Sequence, residues 1–167
     1  MMKKFSLFFG VLCLVACGDP DMQNNTSSKG EFIDLGLPSG TLWKNHNEQN
    51  PKDDHGFYTY DDAMKAFGGQ IPNKQQCREL ISRCEWTWTG NGYTVKGPNG
   101  NTITFAAAGY RKPNGLLECV GTEGEYWTST AEESGTWRDA WCLLFDSEYV
   151  YTDGEYCTYS RPVRLIK

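Results

Sequence analysis

Residues 68–88 read GGQIPNKQQCRELISRCEWTW, and the hydrophobic period changes inside this stretch. Asn73 with Gln76 three residues later has the form of a capping box. Cys77, Leu80, Ile81 and Cys84 then recur at i, i+3, i+4 and i+7, the spacing of an amphipathic helix. After Glu85 the period becomes two: Trp86 and Trp88, then Tyr93 and Val95, then Ile103 and Phe105, with Pro98-Asn99-Gly100 as a turn between strands. One helix therefore ends and a β-region begins within this stretch.

Working outward, Thr59 and Asp62 form a second capping pair, ahead of Ala63, Met64 and Phe67 on one helical face that stops at Gly68-Gly69. Glu31 to Trp43 carries two short apolar segments around Pro38-Ser39-Gly40, with Pro at the second turn position and Gly at the fourth, and this predicts a hairpin. Lys44 to Gly56 is polar and reads as loop. Further strands are expected near 102–106, 125–129, 140–145, 149–152 and 160–166. Helices come first and strands after, and the expected class is α+β, with two helices packed on short antiparallel strands.

The chain has 167 residues, 39% hydrophobic and 22% charged, with a formal net charge of -5. This composition fits one globular domain. The acidic balance argues against nucleic acid as a partner, because phosphate binding draws on clustered Lys and Arg. No apolar run reaches the ~20 residues that a membrane-spanning helix needs.

The first 16 residues, MMKKFSLFFGVLCLVA, place Lys3 and Lys4 before a short apolar run, as an export signal does. The run ends Leu14-Val15-Ala16-Cys17, which resembles the bacterial lipobox, so Cys17 is the expected lipid-attachment residue. Residues 17–30, polar and poor in aliphatics, then form a tether to a single domain over 31–167. Cleavage would remove Lys3 and Lys4, leaving 14 basic residues (16 minus 2) against 21 acidic, a balance of -7. The expected partner is a membrane reached through the lipid anchor. The expected location is the bacterial cell envelope as an outer-membrane lipoprotein, with surface exposure compatible with Asp19 and Asp21 just after the anchor.

Five cysteines remain beyond Cys17: Cys77, Cys84, Cys119, Cys142 and Cys157. At ~1.5 Å of rise per residue, Cys77 and Cys84 on one helix are about 10 Å apart, too far for a disulfide, and both are expected to stay thiols. The only histidines are His46 and His55, and no CxxC occurs, so no metal and no cofactor are expected. Asp53-Asp54-His55, Asp61-Asp62 and Glu132-Glu133 read as solvated or capping carboxylates.

FIDLGLPSGTLW (32–43), GGQIPNKQQCRELISRCEWTW (68–88), GPNGNTITFAAAGYR (97–111), YWTST (126–130) and SRPVRLIK (160–167) together resemble the Fibrobacter succinogenes major paralogous domain family. The resemblance spans Glu31 to Lys167. It implies a secreted lipoprotein and a C-type-lectin-like domain, related also to formylglycine-generating-enzyme-like folds. The family's RLP-T helix start reads Gln70-Ile71-Pro72-Asn73 here, and its longer NVGA-containing loop has no counterpart between Lys44 and Tyr58. The closely spaced catalytic cysteine pair of formylglycine-generating enzymes is also missing, since Cys142 and Cys157 lie fifteen apart. Calcium-dependent lectins use EPN-type and WND motifs. Here Lys112-Pro113-Asn114 and Trp137-Arg138-Asp139 put cations where calcium wants oxygen. No catalytic residue is assigned, and the chain is read as a non-enzyme.

Aromatic residues carry the functional expectation. Cys142, Leu143, Leu144 and Phe145 make both faces of one strand apolar, so that strand is expected to be central, with Trp141 in the core on the Leu143 face. In the next strand an inward Val150 would turn Tyr149 and Tyr151 outward. With Trp137, Tyr156 and Tyr159 they form a candidate stacking platform for glycan or protein, with Asp146, Asp153 and Glu155 as polar partners. An aromatic-packed core is the competing reading of the same residues. A structural envelope component without a soluble ligand is the alternative function, and a cysteine-oxidising enzyme the remote one.

Overall fold

A computed structural model describes residues 31–132 and 139–167. The signal segment, Cys17, the tether, Glu133, Trp137 and Arg138 lie outside the described residues. The architecture is α+β. β1 (Phe32–Asp34) and β2 (Leu42–Lys44) form the opening antiparallel hairpin, closed where Gly40 N–H donates to the Leu37 carbonyl. β3 (Tyr58–Thr59) leads directly into α1 (Tyr60–Phe67), whose Thr59 hydroxyl caps the Asp62 N–H. α2 (Lys74–Arg83) starts at Asn73 with both capping-box bonds to Gln76 formed. The two helix starts thus sit where local hydrogen bonding alone puts them.

β4 (Glu85–Trp88), β5 (Gly92–Lys96) and β6 (Thr102–Ala106) make an antiparallel three-stranded sheet. β7 (Tyr110–Arg111) and β8 (Leu117–Glu118) form a small hairpin that joins β3 and β12 (Ser160–Arg161) in a second sheet. β9 (Gly124–Glu132), β10 (Asp139–Phe145) and β11 (Val150–Tyr156) make the third, with β10 central and β11 at one edge.

That third sheet separates two hydrophobic clusters. Tyr126, Leu143 and Phe145 point into the larger one, with Trp43, Tyr93, Val95 and Phe105 and with Cys77 and Leu80 of α2. Trp127, Cys142 and Leu144 point the other way, against Tyr60 and Ala63 of α1 and Val163 and Leu165. Alternation along β9 and β10 thus loads both faces, and this is why Cys142 to Phe145 shows no polar position. Phe145 lies across its cross-strand partner Gly124, where a Cβ would strike the ring.

The structure revises two expectations. The final strand is short: β12 stops at Arg161, where Pro162 has no N–H for a ladder. Residues 162–167 instead run along β2, with Lys44 N–H donating to Leu165 O at 2.9 Å and Leu42 N–H to Lys167 O at 3.0 Å, so the two ends of the domain are tied together. Trp141 is the second revision. A register shift between Ala140 and Cys142 interrupts the ladder to β9. There Trp141 is half-buried rather than core, and its ring is covered by the Lys74 ammonium, with the Arg78 guanidinium 5.8 Å from the ring centre. The bulge re-aims one side chain of an otherwise regular strand onto the basic face of α2.

Candidate functional site

The turn between β10 and β11 is set by one residue. The Asp146 carboxylate accepts the N–H groups of Glu148 (2.7 Å) and Tyr149 (2.8 Å), and its own N–H donates to Tyr149 O. That turn fixes the register Phe145↔Val150 and Leu144↔Tyr151. Val150 packs on the larger core. Its neighbours consequently face away from it, with Tyr149 63% and Tyr151 48% exposed. Pairing with β10 and the Asp146 turn fix the backbone that carries both rings.

Tyr156 is 49% exposed, but it lies at the far end of β11. Five residues of strand separate it from Tyr151, about 17 Å, and strand alternation gives the two opposite parity. Its ring is 5.8 Å from Tyr159, and Tyr159 stacks on Tyr110 at 5.5 Å. The Tyr110 hydroxyl donates to Glu118 at 2.8 Å. The expected platform residues therefore occur as two sets: Tyr149 with Tyr151 at the hairpin tip, and Tyr156 with Tyr159 over the β7–β8 hairpin.

Arg161 lies beneath and between them, only 1% exposed. It donates from Nε to Glu125 at 2.7 Å and from Nη2 to Glu155 at 2.9 Å, with Nη1 3.2 Å from Tyr156 O. Its guanidinium is 4.5 Å from the Trp127 ring centre and 5.4 Å from that of Tyr159. Burial pushes the Glu125 and Glu155 carboxyls above their ordinary range, with Arg161 opposing and neighbouring carboxylates adding to the rise. Both acids help line a small cleft of about 190 Å³, together with Glu123, Gly124, Asp146 and Tyr151. Sequence reading missed Arg161, Glu123 and Glu125, because nothing local links residues 36 positions apart such as Arg161 and Glu125.

Other candidate groups take structural parts. Asp53 and Asp54 hold Arg111, which is 2.8 Å from Asp53 and in close contact with Asp54, while the Asp53 carboxylate also accepts the N–H groups of His55 and Phe57. The ligand atoms of Asp53, Asp54 and His55 lie within 4.8 Å of one another, and the guanidinium supplies the positive charge that this group of carboxylates favours. Lys112 donates to Glu118 at 2.6 Å, and Asn114 accepts the Leu116 N–H within a turn. Cys77, Cys84, Cys119 and Cys142 are free thiols. Burial pushes Cys77 up to about 12 and Cys84 to about 11, and raises Cys142 as well.

Residues 73–166 match the model of a family described as a domain of unknown function (DUF8237), a span of more than half the chain. No curated protein and no solved structure matches the chain.

Proposed function

We propose that this chain, which belongs to the DUF8237 family, is an outer-membrane lipoprotein of a bacterial envelope, anchored through Cys17, whose domain is a binding module for glycan or protein. The ligand surface is the tip of the β10–β11 hairpin. One observation carries the reading: Tyr149 in the turn and Tyr151 on β11 stay exposed beside a strand that is buried on both faces. Large aromatics left in water on a fixed backbone are the usual makings of a stacking surface. A C-type-lectin-like fold is part of the proposal, supported by the two helices, the antiparallel sheets and the C-terminal segment hydrogen-bonded along β2. The role is non-enzymatic, a reading supported by thiols whose burial disfavours the thiolate that nucleophilic or redox chemistry needs.

The alternative, a structural envelope component, draws support from Leu116 and Val120, apolar side chains exposed near β8. A glycan array and a whole-envelope pull-down with the lipidated protein decide between the two. The binding module requires a ligand that is lost in Tyr149→Ala/Tyr151→Ala and kept in Leu116→Ser/Val120→Ser, and the reverse pattern favours the structural role. Detergent phase separation tests the anchor, since Cys17→Ala should leave the detergent phase.

A further inference from the structure

We propose that the ligand of the β10–β11 tip is an extended, lysine- or arginine-bearing polypeptide segment, with one cationic side chain seated in the cleft beside Tyr151. This rests on the tip being a binding surface, and it names the chemistry of the partner.

Charge is segregated along this chain. Between residues 113 and 160 there are ten carboxylates and one basic residue, Arg138, although the whole chain carries 16 basic residues against 21 acidic. The fold concentrates part of that excess at the tip. Glu123, Glu125, Asp146 and Glu155 all line the cleft of about 190 Å³. Arg161 satisfies one oxygen each of Glu125 and Glu155 from below, so one guanidinium faces four carboxylates. Lys74 and Arg78 are the nearest cations of α2, and they are engaged elsewhere: Lys74 covers Trp141, and Arg78 donates to the Thr152 hydroxyl at 3.3 Å. The uncompensated charge thus lies on the Tyr151 side of β11.

Size sets the kind of group. Sites for small organic ligands run to ~300–1,000 Å³, and this cleft is smaller, with room for one group of a larger ligand. The exposed Tyr149 and Tyr151 rings beside it would cover the aliphatic stem of a Lys or Arg and attract its charge. β11 is hydrogen-bonded to β10 along one side and is an edge of its sheet, a position from which an extended segment can be held. A neutral glycan would use the tyrosines and draw nothing from the carboxylate charge that lines the cleft.

The test uses the full-length protein in detergent and a short fluorescein-labelled peptide of alternating lysine and threonine, read by fluorescence anisotropy. Its acetyl-lysine twin and a neutral oligosaccharide are the comparison ligands. The lysine peptide should bind, its affinity should fall as salt rises, and acetylation should abolish binding. Glu123→Gln/Asp146→Asn should weaken it about tenfold, because the pair removes charge and keeps the turn. Asp61→Asn/Glu85→Gln, equal in charge and away from the cleft, should leave it unchanged. Thermal melts confirm that both doubles are folded. Equal losses in the two doubles, or none in either, overturn the proposal, since attraction to a net-acidic protein would then explain all binding. If the oligosaccharide binds in a Tyr151-dependent way and the lysine peptide does not, the cationic partner is wrong and the binding module stands. If no ligand responds to Tyr149→Ala/Tyr151→Ala, both fall.

Discussion

β10 and β11 are paired over seven residues, from Asp139↔Tyr156 to Phe145↔Val150, and yet their aromatic side chains have opposite fates. β10 is the middle strand, and Phe145 on it is buried among Tyr93, Phe105 and Tyr126, with ring centres 5.4 to 6.4 Å apart. β11 is the edge, and Tyr151, paired with Leu144 on the opposite sheet face from Phe145, is half in water. Residue type and hydrophobicity hardly differ between these two positions. What differs is the number of layers over each, and position in the sheet therefore decides whether an aromatic holds the domain together or meets something outside it.

The largest break in that comparison should come from Phe145→Ala, at ~3–5 kcal/mol of unfolding free energy, measured by urea denaturation. Besides emptying ring volume, the change uncovers Gly124, which has no side chain to fill the gap. A small loss would mean that the ring is not the keystone of the larger cluster.

Arg161 ties β9 and β11 to β12, and Arg161→Ala is expected to cost roughly 3 kcal/mol, because Glu125 would stay buried without its cation. The pH dependence gives this prediction its sign. Burial already raises the folded-state carboxyl of Glu125 above its ordinary 4.5, with Arg161 opposing. A raised folded pKa favours the protonated acid in the fold, so its contribution is complete below about 4.5 and is lost as pH rises. Without Arg161 that loss should steepen between pH 4.5 and neutrality. Glu125→Gln in the same background should flatten it. Thermal melts across this range check both, and a variant whose pH profile matches wild type would remove Arg161 from this role.

The parts of this arrangement legible in the sequence are those fixed by near neighbours. Thr59 with Asp62 and Asn73 with Gln76 place both helices because each cap closes within one turn. Val150 against Tyr149 and Tyr151 reads correctly because alternation is a property of the strand itself. Trp141 was misplaced because a bulge is set by the partner strand, and nothing in Asp139 to Phe145 announces it. β7 and β8 are two residues each, too short for any period to show. Asp146 and Glu155 are expected beside the tyrosines because they flank them in sequence, whereas Glu123 and Glu125 escape because they reach the cleft only after β9 and β11 have both paired with β10. Arg161 and Arg164 carry no local signal, yet both are buried, Arg164 donating to Asn47 and to the carbonyls of Lys44 and Thr104.

The smallest expected effect on stability is also the one that bears most on function. Tyr149→Ala and Tyr151→Ala should each leave unfolding within about 0.5 kcal/mol of wild type, as surface substitutions do. Tyr151 is the stricter case. It is 48% exposed, it borders the cleft beside Glu155, and burial raises its hydroxyl pKa with help from Asp146, so part of the ring does pack. If that packed part dominates, Tyr151→Ala will lose stability on the scale of Phe145→Ala, and the edge strand will prove to be core by another route. If the exposed part dominates, Tyr151→Phe and Tyr151→Ala will melt alike, while only the alanine variant loses ligand. Parallel melts of Tyr149→Ala, Tyr151→Ala, Tyr151→Phe and Phe145→Ala separate these outcomes, because removing a ring and removing a hydroxyl act on different parts of the same residue.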